Sequence, residues 1–279
     1  MPEDWFLEKH TPYAGLSLAV SARLHDRLSD FQHIEVLDTP EYGRVLLLDG
    51  CVMLTDRDEH VYHEMIVHPA LLLHPRPRRV LIIGGGDGGS VREALRHTEL
   101  ERIVLVEIDE AVIDTARRYF PALTAGLDDP RVAVHCEDGF TYLDAHRGQY
   151  DLIVVDSIDP VGEAAKLFTS AFYEKVRDGL RKGGCAVFQT ESPFYSTEVL
   201  AQVQERMRTL FRHVAPYLAH IPTYPSGLWS FTFASDAIDP LNTALQREPA
   251  FLAELKYLTP ELLRAAFVLP AYLRRRLGG

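Results

Sequence analysis

Residues 80–92, VLIIGGGDGGSVR, join a β-branched apolar run to a helical pattern through a turn that contains five glycines and Asp87. A glycine-rich turn of this kind usually opens a helix N-terminus to an anion, because unpaired N–H groups and the helix dipole both favour negative charge there. Here Asp87 stands where that anion would bind. The stretch therefore predicts a nucleoside pocket in an α/β sheet, and one that carries a negative charge of its own.

Strand patterns and helical patterns alternate through most of the remaining chain. The predicted strands cover residues 80–83, 103–106, 132–135, 152–155, 185–188 and 230–235. The predicted helices cover residues 60–73, 90–97, 110–119, 170–180 and 197–210. Buried β-branched strands that alternate with helices indicate an α/β fold with a doubly wound, mostly parallel sheet.

A small antiparallel β region is predicted before this sheet, over residues 16–56. Asp49-Gly50 lies between two apolar runs, which is a strong hairpin signal because both residue types tolerate positive φ. Residues 31–37 are predicted as another strand, and a helical pattern begins at about Val61. We therefore predict an N-terminal β domain over residues 1–60 and a catalytic domain over residues 61–279.

Composition narrows the function class. The 279 residues include 40 acidic and 29 basic side chains, and the net charge of −11 disfavours nucleic-acid binding. The apolar runs are about strand length and the N-terminus is acidic, so neither a membrane span nor a signal peptide is predicted. Cys51, Cys136 and Cys185 lie far apart in apolar runs, which favours buried thiols in the reducing cytoplasm over disulfides.

Acidic residues follow three of the predicted strands. Glu107 closes the strand after the glycine turn, where an acid commonly binds ribose hydroxyls. Asp138-Gly139 follows the next strand, at a position suited to an adenine ring. The alternative is that Glu107 and Asp138 serve only as helix caps or as acidic loop residues.

Asp156 and Asp159, in LIVVDSIDP, follow another strand and should lie at the same edge of the sheet as Asp87. Together these carboxylates predict a cleft for cationic ligands. The alternative for the Asp156 segment is a turn with a helix cap, because Asp and Pro are common turn residues.

The class of nucleotide follows from charge. The turn lacks Gly-Lys-Ser or Gly-Lys-Thr, which excludes a P-loop, whereas dinucleotide binding is harder to exclude. A pyrophosphate about 4 Å from Asp87 would cost on the order of 4 kcal/mol at an effective dielectric of 20. S-adenosyl compounds carry a positive sulfonium and no phosphate. We hypothesise that Asp87 selects the decarboxylated form of S-adenosylmethionine, whose tail ends in an ammonium group alone.

A metal site is not predicted. His60, His63 and Glu64 cluster as HVYHE, but this spacing is neither HExxH nor HxxEH, and no cysteine is adjacent. His63 taken alone would more often be a hydrogen-bonded structural histidine.

Eight motifs in order resemble the polyamine aminopropyltransferases, a family that includes spermidine synthase. They are YGRVLLLDG, TDRDEHVYHEM, VLIIGGGDGGSVRE, VEID, EDGF, VVDSIDPVG, LFTSAFYE and IPTYPSGLWSFTFAS. The resemblance implies a Rossmann-like core similar to class I methyltransferases. It also implies transfer of the aminopropyl arm of decarboxylated S-adenosylmethionine to an amine, usually putrescine, with release of methylthioadenosine. The donor would be a co-substrate with no tightly bound cofactor, and the chain would form a homodimer or homotetramer.

The resemblance further implies roles for individual residues. The donor would contact Gln32, Gly84, Gly85, Gly86, Asp87, Glu107, Asp138 and Gly139. The amine would contact Tyr62, His63, Asp87, Asp156, Asp159, Tyr224 and, at its far end, Gln189 or Glu191. Asp156 would accept the proton from the amine.

The chain departs from the family pattern at two positions. Glu163 stands where the family commonly has Pro, which affects the loop over the methylthioadenosine site. Met53 stands where Gln is frequent, which removes a polar group near the amine. Three alternatives remain open: another amine acceptor (cadaverine, agmatine or spermidine), a methyltransferase that uses intact S-adenosylmethionine, and a non-catalytic polyamine-binding protein.

Overall fold

The computed structural model describes residues 4–157 and 166–278, and the predicted site residue Asp159 and the departure at Glu163 lie outside them. The strands are β1 (Asp4–Thr11), β2 (Ala14–Val20), β3 (Ala22–Leu28), β4 (His33–Thr39), β5 (Gly43–Leu48), β6 (Cys51–Thr55), β7 (Arg79–Gly84), β8 (Arg102–Glu107), β9 (Val132–Cys136), β10 (Tyr150–Asp156), β11 (Leu180–Gln189), β12 (His213–His220) and β13 (Leu228–Ser235). The helices are α1 (Glu59–Leu73), α2 (Gly89–Leu95), α3 (Glu110–Tyr119), α4 (Pro121–Thr124), α5 (Gly139–Ala145), α6 (Ser170–Gly179), α7 (Thr197–Arg208), α8 (Pro260–Ala266) and α9 (Ala271–Arg276).

A seven-stranded sheet, in the order β12-β13-β11-β10-β7-β8-β9, forms the body of the chain. The pairs from β11 to β9 are parallel, whereas β13 runs antiparallel to both β11 and β12. This arrangement confirms the predicted doubly wound, mostly parallel fold. Because β7, β8 and β10 are parallel, their carboxyl ends meet at one edge of the sheet.

Both faces of the sheet are covered, which explains the continuous apolar strand sequences. On β10, Leu152 and Val154 belong to one buried cluster, and Ile153 and Val155 belong to the cluster on the opposite face. This alternation follows from the two-residue period of a strand. The predicted helix 60–73 is present as α1 and packs in the first of these clusters.

The N-terminal β region consists of two antiparallel sheets, a β1-β2 hairpin and a four-stranded β3-β4-β5-β6 sheet. The predicted Asp49-Gly50 turn joins β5 to β6, with φ of 50° and 77° at these two residues. The predicted strand 31–37 lies two residues later, at His33–Thr39. Strands begin as early as Asp4, which the prediction of a β region starting at residue 16 missed.

The prediction of three buried thiols is wrong for Cys136. This residue is exposed because it ends β9, the last strand of the sheet, while Cys51 is half-buried and Cys185 is buried. Within the described ranges no disulfide joins these cysteines. None of the helices in these ranges combines the length and the apolarity needed to cross a bilayer.

Candidate active site

One cavity opens where the carboxyl ends of β7, β8 and β10 face the N-terminal strands. Its lining includes the predicted residues Gln32, Tyr62, His63, Gly84, Gly85, Gly86, Asp87, Glu107, Asp138, Gly139, Asp156, Gln189 and Tyr224. Of the predicted site residues within the described ranges, only Glu191 lies outside this lining. The strand-end acids thus converge on one place, as the parallel topology requires.

Asp156 ends β10 and is only 8% exposed. Its Oδ1 accepts a hydrogen bond of 2.6 Å from the Tyr62 hydroxyl, and its Oδ2 accepts one of 2.6 Å from the Ser90 hydroxyl. Burial, followed by repulsion from Asp87, raises the pKa of Asp156, while the positive charge of His63 and the two hydrogen bonds oppose that rise. A buried carboxyl with a raised pKa suits a proton acceptor.

The Asp87 side chain is held by two contacts on one oxygen. Oδ1 accepts the backbone N–H of Gly89 at 2.7 Å and lies 3.2 Å from Nε2 of His63. Burial would raise the pKa of Asp87, but the His63 charge and these hydrogen bonds together lower it below its usual value. Asp87 is therefore an ionised carboxylate at the glycine turn.

His63 lies between two carboxylates instead of presenting a nitrogen to the cavity. Its Nδ1 is 2.7 Å from Oε2 of Glu59, its Nε2 faces Asp87, and its side chain is 2% exposed. Burial would lower the pKa of His63, but Asp87 and Glu59 raise it to about 10. Both ring nitrogens of His63 are therefore occupied by carboxylates, and the residue also belongs to the cavity lining.

Close packing explains glycine at two positions of the turn. A Cβ on Gly84 would lie 2.1 Å from the Asp156 backbone oxygen, and one on Gly89 would lie 2.2 Å from Cε1 of His63. Gly84 also has a φ of +80°, which other residues rarely adopt. The turn therefore brings the ends of β7 and β10 into direct contact.

Glu107 ends β8 and binds the glycine turn. Its Oε2 accepts the Gly86 N–H at 3.2 Å and its Oε1 accepts the Asp109 N–H at 3.0 Å. Burial raises the pKa of Glu107 to about 7, although both N–H groups oppose the rise. Gln32 donates from Nε2 to Asp109 at 2.9 Å, and its buried Oε1 has no partner among the described residues. These oxygens can accept hydroxyl hydrogen bonds from a sugar.

Asp138 is both a helix cap and a cavity residue. Its Oδ1 accepts the Phe140 N–H at 2.9 Å at the start of α5, and Nζ of Lys166 lies 3.1 Å from its Oδ2. The alternative of a helix cap is therefore correct for Asp138, and it coexists with a place beside Gly139 in the cavity lining.

Aromatic side chains form one wall of the cavity. The Tyr224 ring lies 4.8 Å from Trp229 and 5.8 Å from Tyr62, measured between ring centroids. The Tyr224 hydroxyl donates to the backbone oxygen of Met53 at 2.5 Å. Asp58 fixes this loop, because its Oδ2 accepts both the N–H and the hydroxyl of Thr223, at 3.1 and 2.7 Å.

Gln189 lines the cavity, whereas Glu191 is absent from the lining. The Gln189 side-chain oxygen accepts the Glu191 N–H at 3.0 Å, and Glu191 has a φ of 71°. Ser196 donates to the Glu191 carboxylate at 3.5 Å. The geometry favours Gln189 over Glu191 for contact with a ligand.

Sequence reasoning missed Glu8, a cavity residue from β1. Phe6 and Glu8 face inward on this strand, while Trp5 and Leu7 are each 57% exposed. The Glu8 carboxylate accepts the Val52 N–H at 3.0 Å and lies 3.4 Å from Nε2 of His10. The alternation of β1 buries Glu8, but the apolar Trp5 and Leu7 on its exposed face hide that alternation in the sequence.

Two residues of the HVYHE sequence, His63 and Glu64, form hydrogen bonds to other parts of the protein. Glu64 accepts the backbone N–H groups of Lys256, Tyr257 and Leu258 at 2.8 to 3.0 Å, and His63 is held as described above. In the part of the chain that the structure describes, a group with metal-ligand spacing occurs at Asp26, His33 and Glu35. These residues lie on β3 and β4 and are absent from the cavity lining.

Comparison with known proteins accounts for the whole length of the chain. Residues 59–244 match the spermine/spermidine synthase domain, and residues 4–56 match the spermidine synthase tetramerisation domain. The chain belongs to the polyamine aminopropyltransferase family. It is 44% identical over 273 residues to the polyamine aminopropyltransferase of Bacillus subtilis, with 98% of each chain covered. It is also 44% identical over 272 residues to that of Thermoanaerobacter sp., with 98% of each covered.

Solved members of the family share the fold. A spermidine synthase in complex with the transition-state analogue AdoDATO matches with a TM-score of 0.95 at 38% identity, covering 100% of this chain and 96% of that one. The spermidine synthase of Thermotoga maritima matches with a TM-score of 0.93 at 38% identity, covering 100% and 95%. These relatives confirm the predicted family, the Rossmann-like fold and the activity class: the chain is an aminopropyltransferase.

Proposed function

We propose that this aminopropyltransferase is a spermidine synthase, which transfers the aminopropyl group of decarboxylated S-adenosylmethionine to putrescine and releases 5′-methylthioadenosine. The observation that carries the proposal is the convergence of Asp87 and Asp156 on one cavity, with Asp87 ionised and Asp156 holding a raised pKa. Two carboxylates with different proton affinities can perform two tasks, binding a cation and accepting a proton.

The donor fits the glycine-turn side of the cavity. Glu107 and Gln32 offer acceptors for the ribose hydroxyls. Asp138 and Gly139, which also line the cavity, would contact the adenine ring. Asp87 would pair with the aminopropyl ammonium. An intact S-adenosylmethionine would place its carboxylate against Asp87, and like charges at close range are unfavourable. Asp87 is therefore proposed as the residue that selects the decarboxylated donor over the methyltransferase substrate.

The chemical step needs a neutral amine. An alkylamine with a pKa near 10.4 is almost wholly protonated at pH 7, and removing the proton costs roughly 4 to 5 kcal/mol. Burial beside Tyr62, Tyr224 and Trp229 and the nearby sulfonium would lower the amine pKa, while the pKa of Asp156 is already raised. Asp156 then takes the proton, the amine nitrogen attacks the carbon next to sulfur, and the C–S bond breaks to leave neutral methylthioadenosine.

Putrescine is the proposed acceptor because the amine side of the cavity has acidic groups and apolar walls. Asp156 would hold the reacting nitrogen, and Glu8 or Gln189 would meet the far ammonium. Met53, Tyr224 and Trp229 suit the methylene chain between them. Asp159, proposed from the resemblance as a further contact for the diamine, lies outside the described residues.

We further propose a homo-oligomer built through the N-terminal β region, in line with the tetramerisation domain matched by residues 4–56. The domain boundary is proposed at about residue 60, at the start of α1. The reducing cytoplasm is the proposed location, since Cys136 and Cys185 are thiols within the described structure.

Purified protein incubated with decarboxylated S-adenosylmethionine and putrescine should release methylthioadenosine and spermidine in equal amounts. Cadaverine, agmatine and spermidine should each give a lower kcat/KM, and a preference for any of them would reject putrescine as the acceptor. Asp156→Asn should still bind the donor but lose about 10²- to 10⁴-fold in kcat, the usual contribution of a general base. Methyl transfer from intact S-adenosylmethionine would reject the proposal as a whole.

A further inference from the structure

An ion-pair network extends from the cavity into the protein behind Asp87. His63 joins Asp87 to Glu59, and Arg92 on α2 joins Glu59 to Glu93. Arg92 donates to both oxygens of Glu59 at 2.9 Å, from Nη1 and Nη2, and from Nε to Glu93 at 2.7 Å. Glu59, Arg92 and Glu93 are all absent from the cavity lining, and of these three only Glu59 contacts His63.

Glu59 is fixed in position from two directions. It lies one helical turn before His63 on α1, and its side chain is only 9% exposed. A bidentate Arg–carboxylate pair sets the plane of the carboxylate as well as its place. Oε2 of Glu59, which accepts from Arg92, is also the atom that contacts Nδ1 of His63. The Arg92 clamp therefore determines the orientation of the imidazole.

Every charged group packed around His63 bears on its protonation. Glu59 faces it from its own helix, Asp87 from the glycine turn, and Arg92 stands behind Glu59. On the cavity side lie Asp156 and the Tyr62 ring, whose centroid is 5.5 Å away. Burial alone would lower the pKa of His63, and the two contacting carboxylates raise it to about 10. Loss of the Glu59 charge would remove one of those two contributions.

The charge on His63 acts on both carboxylates that the proposed reaction uses. It lowers the pKa of Asp87 against the effect of burial, and it opposes the rise that burial and Asp87 impose on Asp156. A general base must be ionised before it can accept a proton. Without the imidazolium, the pKa of each of these two buried carboxylates would rise.

We propose that Glu59, clamped by Arg92, is a positioning residue that keeps His63 as a fixed cation beside Asp87 and thereby keeps both cavity carboxylates ionised at working pH. This inference rests on the proposed function, in which Asp156 accepts the amine proton. It assigns a task to two residues that contact neither the cavity nor, in the proposed reaction, a reacting atom: Glu59 and Arg92.

The dependence of kcat on pH tests the proposal, because at saturating substrates it reports groups in the bound complex. Glu59→Gln keeps the shape of the side chain and an acceptor for Arg92 but removes the charge. Its basic limb should move to lower pH by about one unit, because His63, whose pKa is about 10 with both carboxylates present, loses its charge earlier when Glu59 is neutral. Glu93→Gln is the matched control, since the Glu93 side chain is 5% exposed against 9% for Glu59 and pairs with Arg92 without touching His63. Its basic limb should stay in place, and equal limbs in the two variants would contradict the proposal.

A second measurement does not need turnover. The imidazole of His63 can be followed by nitrogen NMR in protein with labelled histidines, and its signal among the 12 histidines is the one lost in His63→Gln. The wild-type signal should remain that of a charged ring up to pH 8.5, and in Glu59→Gln it should titrate at least one unit lower. A wild-type His63 that loses its proton below pH 7 would overturn the inference, even if the enzyme makes spermidine and even if Glu59→Gln does not fold.

Discussion

At the scale of single residues, the cavity separates two carboxylates by their surroundings. Asp87 is stabilised as an anion by the Gly89 N–H and the His63 charge, whereas Asp156 has two hydroxyl partners and a repelling neighbour. The His63 charge and the hydrogen bonds lower the pKa of Asp87 against its burial, whereas burial and repulsion from Asp87 raise the pKa of Asp156 although both hydroxyls oppose the rise. One acid can therefore stay charged to bind a cation while the other takes up a proton.

Asp87→Asn should abolish the selection of the donor. The neutral amide cannot pair with an ammonium ion or repel a carboxylate, so the KM for decarboxylated S-adenosylmethionine should rise at least about tenfold, equivalent to about 1.4 kcal/mol. Affinities for the decarboxylated and intact donors, measured by calorimetry, should become similar. Asp114→Asn, at an exposed position on α3, serves as the control and should leave both affinities unchanged. An undiminished preference in Asp87→Asn would show that another group makes the selection.

Single residues were predictable where the signal is local. Glu107 and Asp156 end apolar strands, and Asp87 lies three residues after another, so the strand pattern places them at the sheet edge. Glu59 and Glu8 were missed because their partners are remote in sequence: Arg92 lies 33 residues from Glu59, and Val52 lies 44 from Glu8. No spacing rule connects such pairs before the chain is folded.

At the scale of elements, the start of α1 is tied to the loop that carries Tyr224. Asp58 precedes α1 and accepts from the Thr223 N–H and hydroxyl, and also from the Thr55 hydroxyl at 2.7 Å. It is 5% exposed, so each of these hydrogen bonds lies in a buried setting. The aromatic wall is thereby held against the helix that supplies Tyr62.

Asp58→Ala should weaken amine binding without affecting the donor. Removal of the carboxylate leaves buried donors on Thr55 and Thr223 unpaired, which costs about 1–3 kcal/mol per group, and it frees the Tyr224 loop. The KM for putrescine should rise by about tenfold or more, as for a loss near 1.4 kcal/mol, while the donor Kd stays the same. Asp58→Asn retains one acceptor, so its KM for putrescine should lie between those of the wild type and Asp58→Ala. Equal changes in the KM for putrescine and in the Kd of the donor would mean that the Tyr224 loop does not act on the amine side alone.

Elements were predictable in proportion to the regularity of their pattern. The central strands and α3 appear where the apolar periodicity placed them. Strand β12 was missed because Pro216 interrupts it, and Pro lacks the N–H that a central strand needs. The structure accommodates this proline because β12 is the edge strand of the sheet. Strand β1 was missed because its apolar Trp5 and Leu7 point outward, against the usual pattern for a buried strand.

At the scale of the whole molecule, buried charges set how stability varies with pH. Partners lower the pKa values of Glu59 and Glu93 to about 2, and burial lowers that of His97 to about 4. Their contributions to the stability of the fold are therefore lost as the pH falls below their pKa values in the unfolded chain, which are near 6.5 for His and 4.3 for Glu. Two shifts have the opposite sign: His63 is raised to about 10 and Glu107 to about 7, so their effects make the fold less stable as the pH rises.

We expect the melting temperature to be highest at about pH 5–6.5 and to fall on both sides. Above about pH 6.5 the stabilising charge of His63 is lost progressively up to its folded pKa of about 10. His63→Gln should thus be less stable than wild type at pH 6, with a difference that shrinks toward pH 10. Calorimetry at one protein concentration would measure this difference, because concentration alters the stability of an oligomer. A constant difference across that range would refute a charged His63.

The outer face of β1 bears on assembly. Trp5 and Leu7 are 57% exposed and Leu28 on β3 is 80% exposed, which is unusual for apolar residues on a monomer surface. Paired Trp5→Ser and Leu7→Ser changes should reduce the molar mass measured by analytical ultracentrifugation. Leu241→Ser, at a residue 64% exposed outside this region, is the control and should not. An unchanged mass in the paired variant would place the interface elsewhere.

The position of Glu8 has a practical consequence for studies of the enzyme. The Glu8 carboxylate, which we propose faces the amine, belongs to β1 (Asp4–Thr11), so a substitution in this strand can alter the cavity lining. Acceptor preferences measured on such a variant would include the effect of that alteration. Substitutions in α9, whose Leu273 and the following Leu277 pack against Leu200, lie outside the cavity lining and should leave those preferences unchanged.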